Sequence, residues 1–140
     1  MMRLLNKMAI CLLTGMVAVA VGCGSSNQVS VQGRVTFDGQ PVGPGSIVFL
    51  PETGAEGTKV AAPIEDGKYQ IGTERGAAPG NFRVEISWSK KTGRQLPSAD
   101  PGIMMDETKE AIPPQYNSQT TLRCELKPGE NVHDFDLKTQ

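Results

Sequence analysis

The chain has 140 residues and a formal net charge of −1, one domain's worth of sequence with no basic excess. That balance excludes a broad electrostatic attraction to nucleic acid or to anionic lipid. Aromatic residues make up only 5%, while 16 glycines and 10 prolines suit short strands joined by tight turns better than helices.

The first segment differs from the rest. Met1 to Lys7 carries Arg3 and Lys7 and no acid, and Met8 to Gly22 carries no charge at all. This is a basic region followed by an apolar region of signal-peptide length. It is too short to span a bilayer, which takes roughly 20 apolar residues. Ala20-Val21-Gly22-Cys23 then resembles the bacterial lipobox, with Ala20 where leucine is usual. That resemblance implies cleavage before Cys23, a diacylglyceryl thioether on its sulfur and an acyl chain, such as palmitate, on its new amino group. Each buried methylene contributes about 0.8 kcal/mol, so several chains make a stable anchor. Residues 1–22 are thus read as a lipoprotein signal peptide, and 23–28, rich in Gly and Ser, as a flexible tether. The alternative is ordinary cleavage after Ala20 in Ala18-Val19-Ala20. It would release a soluble chain with free Cys23, able to pair with Cys124 in an oxidising compartment. With Cys23 lipidated, Cys124 is the one thiol left and reads as a small core residue.

From Gln28 onward the periodicity is two. Val29, Val31, Gly33, Val35 and Phe37 face one way, and Asp38-Gly39-Gln40-Pro41 turns the chain. Ser46 to Leu50 is a continuous apolar run expected to be a central strand. Pro51 to Thr58 is a loop. Two strands, Thr58 to Ile64 and Lys68 to Ile71, flank a hairpin turn at Asp66-Gly67. After a turn at 76–80, Phe82, Val84, Ile86 and Trp88 alternate with Arg83, Glu85 and Ser87. Residues 89–117 break the rhythm and are expected to form a long loop, of the length that is usually functional or disordered. Strands return over Thr120 to Leu126 and Val132 to Leu137, joined by a turn at Lys127-Pro128-Gly129-Glu130. The pattern predicts an all-β domain over 29–138, a seven-stranded antiparallel β-sandwich. Its expected core is Val31, Val35, Phe37, Val48, Leu50, Tyr69, Ile71, Phe82, Val84, Ile86, Leu122, Cys124, Leu126, Phe135 and Leu137.

Five blocks in order, "VSVQGRVTFDGQPVGPGSIVFLP", "DGKYQI", "GAAPGNFRVEI", "IPPQYN" and "LKPGENVHDFDL", resemble bacterial envelope lipoproteins with a carboxypeptidase-regulatory-like, transthyretin-like domain. The resemblance covers Val29 to Leu137. It implies a prealbumin-like sandwich exported to the cell envelope and held to a membrane, the outer one where the cell has two. It implies no peptidase activity.

The residues argue against catalysis. A zinc peptidase site needs several His and carboxylate ligands, and His133 is the single histidine. A serine triad would need the same histidine, and no Gly-x-Ser-x-Gly turn is present. Transthyretin-like hydrolases carry several histidines and a C-terminal Tyr-Arg-Gly-Ser, both missing here. Arg34, the only cation on the first strand, cannot replace the lysine of an internal isopeptide bond. Asp106, Glu107 and Glu110 lack the spacing of a calcium loop and read as a solvated acidic run. No catalytic residue, metal or cofactor is expected. Trp88 and Tyr116 are candidate stacking platforms for a sugar or peptide, and Met104-Met105 is a candidate sticky contact. The expected role is binding or scaffolding at the envelope, through the membrane anchor and an envelope protein or glycan partner. The alternatives are a carbohydrate- or peptide-binding lipoprotein, an accessory domain of an envelope complex and a hydrolase.

Overall fold

A computed structural model of the chain describes residues 27–54 and 57–139. The expected leader and Cys23 lie outside these residues. The elements in order are β1 (Val29–Phe37), β2 (Gln40–Pro41), β3 (Gly45–Pro51), β4 (Val60–Ile64), β5 (Lys68–Ile71) and β6 (Gly80–Ser87). They continue as β7 (Ser89–Pro97), β8 (Met104–Glu110), β9 (Arg123–Leu126), β10 (Gly129–Val132) and β11 (Phe135–Leu137). Two 3-10 turns, Thr73–Arg75 and Pro114–Tyr116, complete the set. The described residues contain no α-helix.

Local chemistry sets the hairpins. Asp38-Gly39 and Asp66-Gly67 both take positive φ at both positions (49° and 79°, 48° and 72°), the pair of conformations a two-residue I′ turn demands. The first turn folds β2 onto β1, and the second brings β5 back after β4.

One sheet is antiparallel, in the order β4-β3-β6-β9. The other is mixed. Along one edge of β1 lie β5 and β2, antiparallel; along the other lie β10 and β11, parallel and in one continuous register. The expectation of a wholly antiparallel fold is corrected here, because the last strand runs beside the first in the same direction. That strand breaks at His133-Asp134, opposite Gly33. A Cβ on Gly33 would sit 1.8 Å from the His133 carbonyl oxygen. Around the break, His133 N–H donates to the Gln32 carbonyl at 3.0 Å. Arg34 N–H donates to Asp134 Oδ1 at 2.7 Å. The Tyr69 hydroxyl donates to the His133 carbonyl at 2.7 Å.

Both sheets bury residues in one core. Val31, Val35, Tyr69, Ile71 and Leu137 come from the mixed sheet; Ile47, Phe49, Ile64, Phe82, Val84, Ile86 and Leu126 come from the antiparallel one. Phe49 joins them, its ring centroid 6.0 Å from Tyr69 and 6.5 Å from Phe82. The arrangement is all-β and consistent with a β-sandwich.

Three further expectations are corrected. Eleven strands form among the described residues instead of seven. Ile47 and Phe49, not Val48 and Leu50, point into the core. An Ile-Val-Phe-Leu run carries no polar alternation to choose a face, and the larger ring fills the space against Tyr69 and Phe82. Finally, residues 89–117 are not a loop throughout, since β7 and β8 pair as an antiparallel hairpin within them.

Cys124 is half-buried against the core, and burial pushes its thiol up to about 11. The thiolate is the reactive form. Iodoacetamide at pH 8 should therefore label Cys124 about a hundredfold more slowly in the folded chain than in urea, read by mass spectrometry.

Candidate functional site

The β7–β8 hairpin forms an arm with solvent on nearly all sides. Every residue of β7 is exposed, as are all of β8 except the half-buried Glu107. A two-stranded ribbon without a core is marginal alone, so the pairs that brace it matter. Lys91 pairs with Asp106 at 2.5 Å, and Glu107 takes the Thr92 hydroxyl at 2.5 Å with Arg94 3.9 Å away. The hydrogen-bonded ion pair holds Asp106 below the usual carboxylate range and Lys91 above its own. This brace is present at neutral pH and is lost as the pH falls through the lowered Asp106 value.

The base of the arm is tied to the domain. Glu110 Oε1 accepts Trp88 N–H at 2.8 Å and Ile112 N–H at 2.9 Å, while Ala111 N–H donates to the Trp88 carbonyl. Trp88 is buried, and Lys90 Nζ sits 3.7 Å from the centre of its ring. Replacing Glu110 by alanine removes an acceptor shared by two backbone donors. We expect a loss of about 1–3 kcal/mol in urea unfolding and faster amide exchange at Trp88 and Ile112.

The tip carries the exposed apolar side chains. Leu96 (43%), Ile103 (54%), Met104 (53%) and Met105 (56%) are four of the five exposed large hydrophobics among the described residues. Leu96 lies directly across from Met105, and Pro97 across from Met104. Successive residues face opposite sides of a strand, so both faces of the ribbon are apolar here. Beyond them the chain turns at Asp100-Pro101-Gly102-Ile103, closed by Ile103 N–H on the Asp100 carbonyl at 3.2 Å.

The structure therefore separates the residues singled out from the sequence. Met104 and Met105 are at the tip, joined by Leu96 and Ile103, which sequence reading missed. A signal for these two existed: both flank a Pro-Gly turn in a polar stretch. Trp88 serves the base. Tyr116 is half-buried against the core, and its hydroxyl donates to the Lys138 carbonyl at 3.1 Å, fastening the last strand's exit. Cys23 is outside the described residues. Asp106, Glu107 and Glu110 each hold a different partner, and no group of three or more potential metal ligands occurs among the described residues.

A second surface is a groove of about 730 Å³ on the mixed sheet. Gln32 lies across from Gln70, and Arg34 across from Lys68. Like charges directly opposite one another disfavour a sheet, and neither cation has an ion-pair partner among the described residues. Glu65, Asp66, Asp134 and the exposed Val132 complete much of the lining. The outward alternation around Asp66-Gly67 was the sequence signal for this face. His133, the single histidine, places Nε2 3.1 Å from the Glu125 carbonyl. Comparison with family models, with curated proteins and with solved structures finds no match to this chain.

Proposed function

We propose that the chain is a lipid-anchored, non-catalytic module of a bacterial cell envelope that acts in binding or scaffolding. In this reading Cys23 carries the lipid, the two sheets form a prealbumin-like sandwich, and the β7–β8 arm is an insertion that makes contact. The observation that supports it most is the tip. Four large apolar side chains stand in solvent on a braced arm and contribute nothing to the core. Exposed apolar clusters of this kind mark interaction sites.

Fractionation tests the anchor. The native chain should sediment with membranes and enter detergent, and Cys23→Ser should move it to the soluble fraction. A native chain that is already soluble overturns the reading.

The groove supports a second reading, a carbohydrate- or peptide-binding lipoprotein. Two amides beside two unpaired cations offer hydrogen-bond donors to hydroxyl or carboxylate groups. A glycan array should then show binding that Arg34→Ala removes.

A further inference from the structure

The outward face of the mixed sheet carries an ordered pattern of charge. Across its strands run Asp134, Arg34, Lys68 and Glu65. Arg34 N–H donates to Asp134 Oδ1 at 2.7 Å, Arg34 lies opposite Lys68, and Lys68 lies opposite Glu65 across the Asp66-Gly67 turn. At about 4.8 Å between strands the row is roughly 14 Å long. Its signs read minus, plus, plus, minus. All four side chains line the groove of about 730 Å³, with Asp66 at the Glu65 end. None of these charged groups has an ion-pair partner among the described residues.

The neighbouring row is uncharged. Gln32 has Gln70 on one side and Val132 on the other, and all three line the same groove. Val132 is 65% exposed. Beyond these two rows the face ends in further acids, Glu130 beside Ser30 and Asp136 beside Thr36. The cation pair is therefore ringed by carboxylates, with amides and one apolar side chain next to it.

This pattern selects a ligand. Like charges directly opposite one another disfavour a sheet, and the nearest carboxylates stand at the ends of the row instead of between the cations. An anionic group seated between Arg34 and Lys68 takes charge-assisted hydrogen bonds from both and removes their repulsion. The surrounding carboxylates repel a polymer charged at every unit and the surface of an anionic bilayer. They suit hydroxyl groups, which donate to a carboxylate and accept from an amide. A sugar ring with one acidic group meets every part of the pattern. Its anion takes the cations, its hydroxyls take Gln32, Gln70 and the flanking carboxylates, and its carbon face lies on Val132. A peptide's backbone groups pair with a strand edge, and this is a sheet face. A second copy of this chain, applied to the same face about a two-fold axis, sets cations against cations and acids against acids.

We propose that the groove on the mixed sheet binds a saccharide unit with a single anionic group, a carboxylate or a phosphate ester, held between Arg34 and Lys68. The inference rests on the reading of this groove as a carbohydrate- or peptide-binding site and names its ligand class.

The test is a titration of the full, processed chain in detergent, isotope-labelled and followed by NMR. The probes are methyl glucuronide, glucose-6-phosphate, methyl glucoside, and N-acetyl-trialanine with a free carboxylate. Acetate and inorganic phosphate are titrated alongside. We expect methyl glucuronide, glucose-6-phosphate or both to shift the Gln32 and Gln70 side-chain amides at concentrations about tenfold below those methyl glucoside needs. The stronger of the two acids tells carboxylate from phosphate. Arg34→Gln and Lys68→Gln should each weaken that binding about fivefold or more. Lys59→Gln, exposed and outside the groove, should leave it unchanged. The amide spectrum of each variant shows whether the domain is folded. Methyl glucoside or N-acetyl-trialanine binding as tightly as the acidic sugars would overturn the inference and leave the broader binding reading standing. Acetate or inorganic phosphate binding as tightly would overturn it too, as would shifts of the same amides that grow with protein concentration alone. No shift with any probe would remove both.

Discussion

Phe49→Ala should lower the unfolding free energy by about 3–5 kcal/mol, the largest effect expected of any truncation in the domain. Phe49 is fully buried and packs between Tyr69 of one sheet and Phe82 of its own. Its loss leaves a cavity where the two sheets meet, and backbone on both sides is held by ladders that cannot collapse into it. Leu50→Ala, one residue on, should cost only about 1 kcal/mol, because that side chain is half-exposed on the other face. Urea unfolding followed by Trp88 fluorescence measures both. The pair reads the register of β3 directly: had Val48 and Leu50 faced the core, the order of the two losses would reverse.

Gly33→Ala comes next, with an expected loss of about 2–4 kcal/mol. The new methyl would lie 1.8 Å from a backbone carbonyl oxygen, a position no rotamer change can relieve. The His133–Asp134 break must move outward instead. Such overpacking costs about 1–3 kcal/mol. The same movement draws the His133 carbonyl away from the Tyr69 hydroxyl, a net loss of about 1 kcal/mol more. Gln32→Ala, exposed on the same strand, should change stability by about 0.5 kcal/mol or less. Hydrogen exchange at His133, whose N–H is bonded to Gln32, should rise in the glycine variant and stay unchanged in the control.

These two positions also show which parts of the fold can be read from sequence. Asp38-Gly39 and Asp66-Gly67 announce their turns because the required positive φ is a property of the residues themselves. The alternation of Phe82, Val84 and Ile86 announces β6 because one of its faces is wet. β3 does not announce its face. It lies between β4 and β6, and its apolar run reads equally well in either register. The parallel pairing of β10 and β11 with β1 is a contact between the two ends of the domain, so no local signal carries it. Gly33 looks like a weak strand residue until the His133 carbonyl is seen against it.

The arm escapes sequence reading for a related reason. With no core beneath it, β7–β8 has no buried stripe, and its strands are written in charges, Lys91 against Asp106 and Arg94 near Glu107. Met104 and Met105 still stand out as apolar residues in a polar stretch. Aromatic character alone marks Trp88 and Tyr116 as stacking platforms, but the fold assigns the first to the base of the arm and the second to the end of β11. The groove face was visible only as polar alternation, since what distinguishes Arg34 and Lys68 is that the register sets them opposite each other.

The account depends most on how the mature chain begins. Intact-mass and peptide mass spectrometry of the native protein, purified from the cells that make it, addresses this directly. The account predicts an N-terminus at Cys23 bearing a diacylglyceryl thioether and an acylated amino group. A chain that starts at Val21 with an unmodified Cys23 sulfur would contradict it.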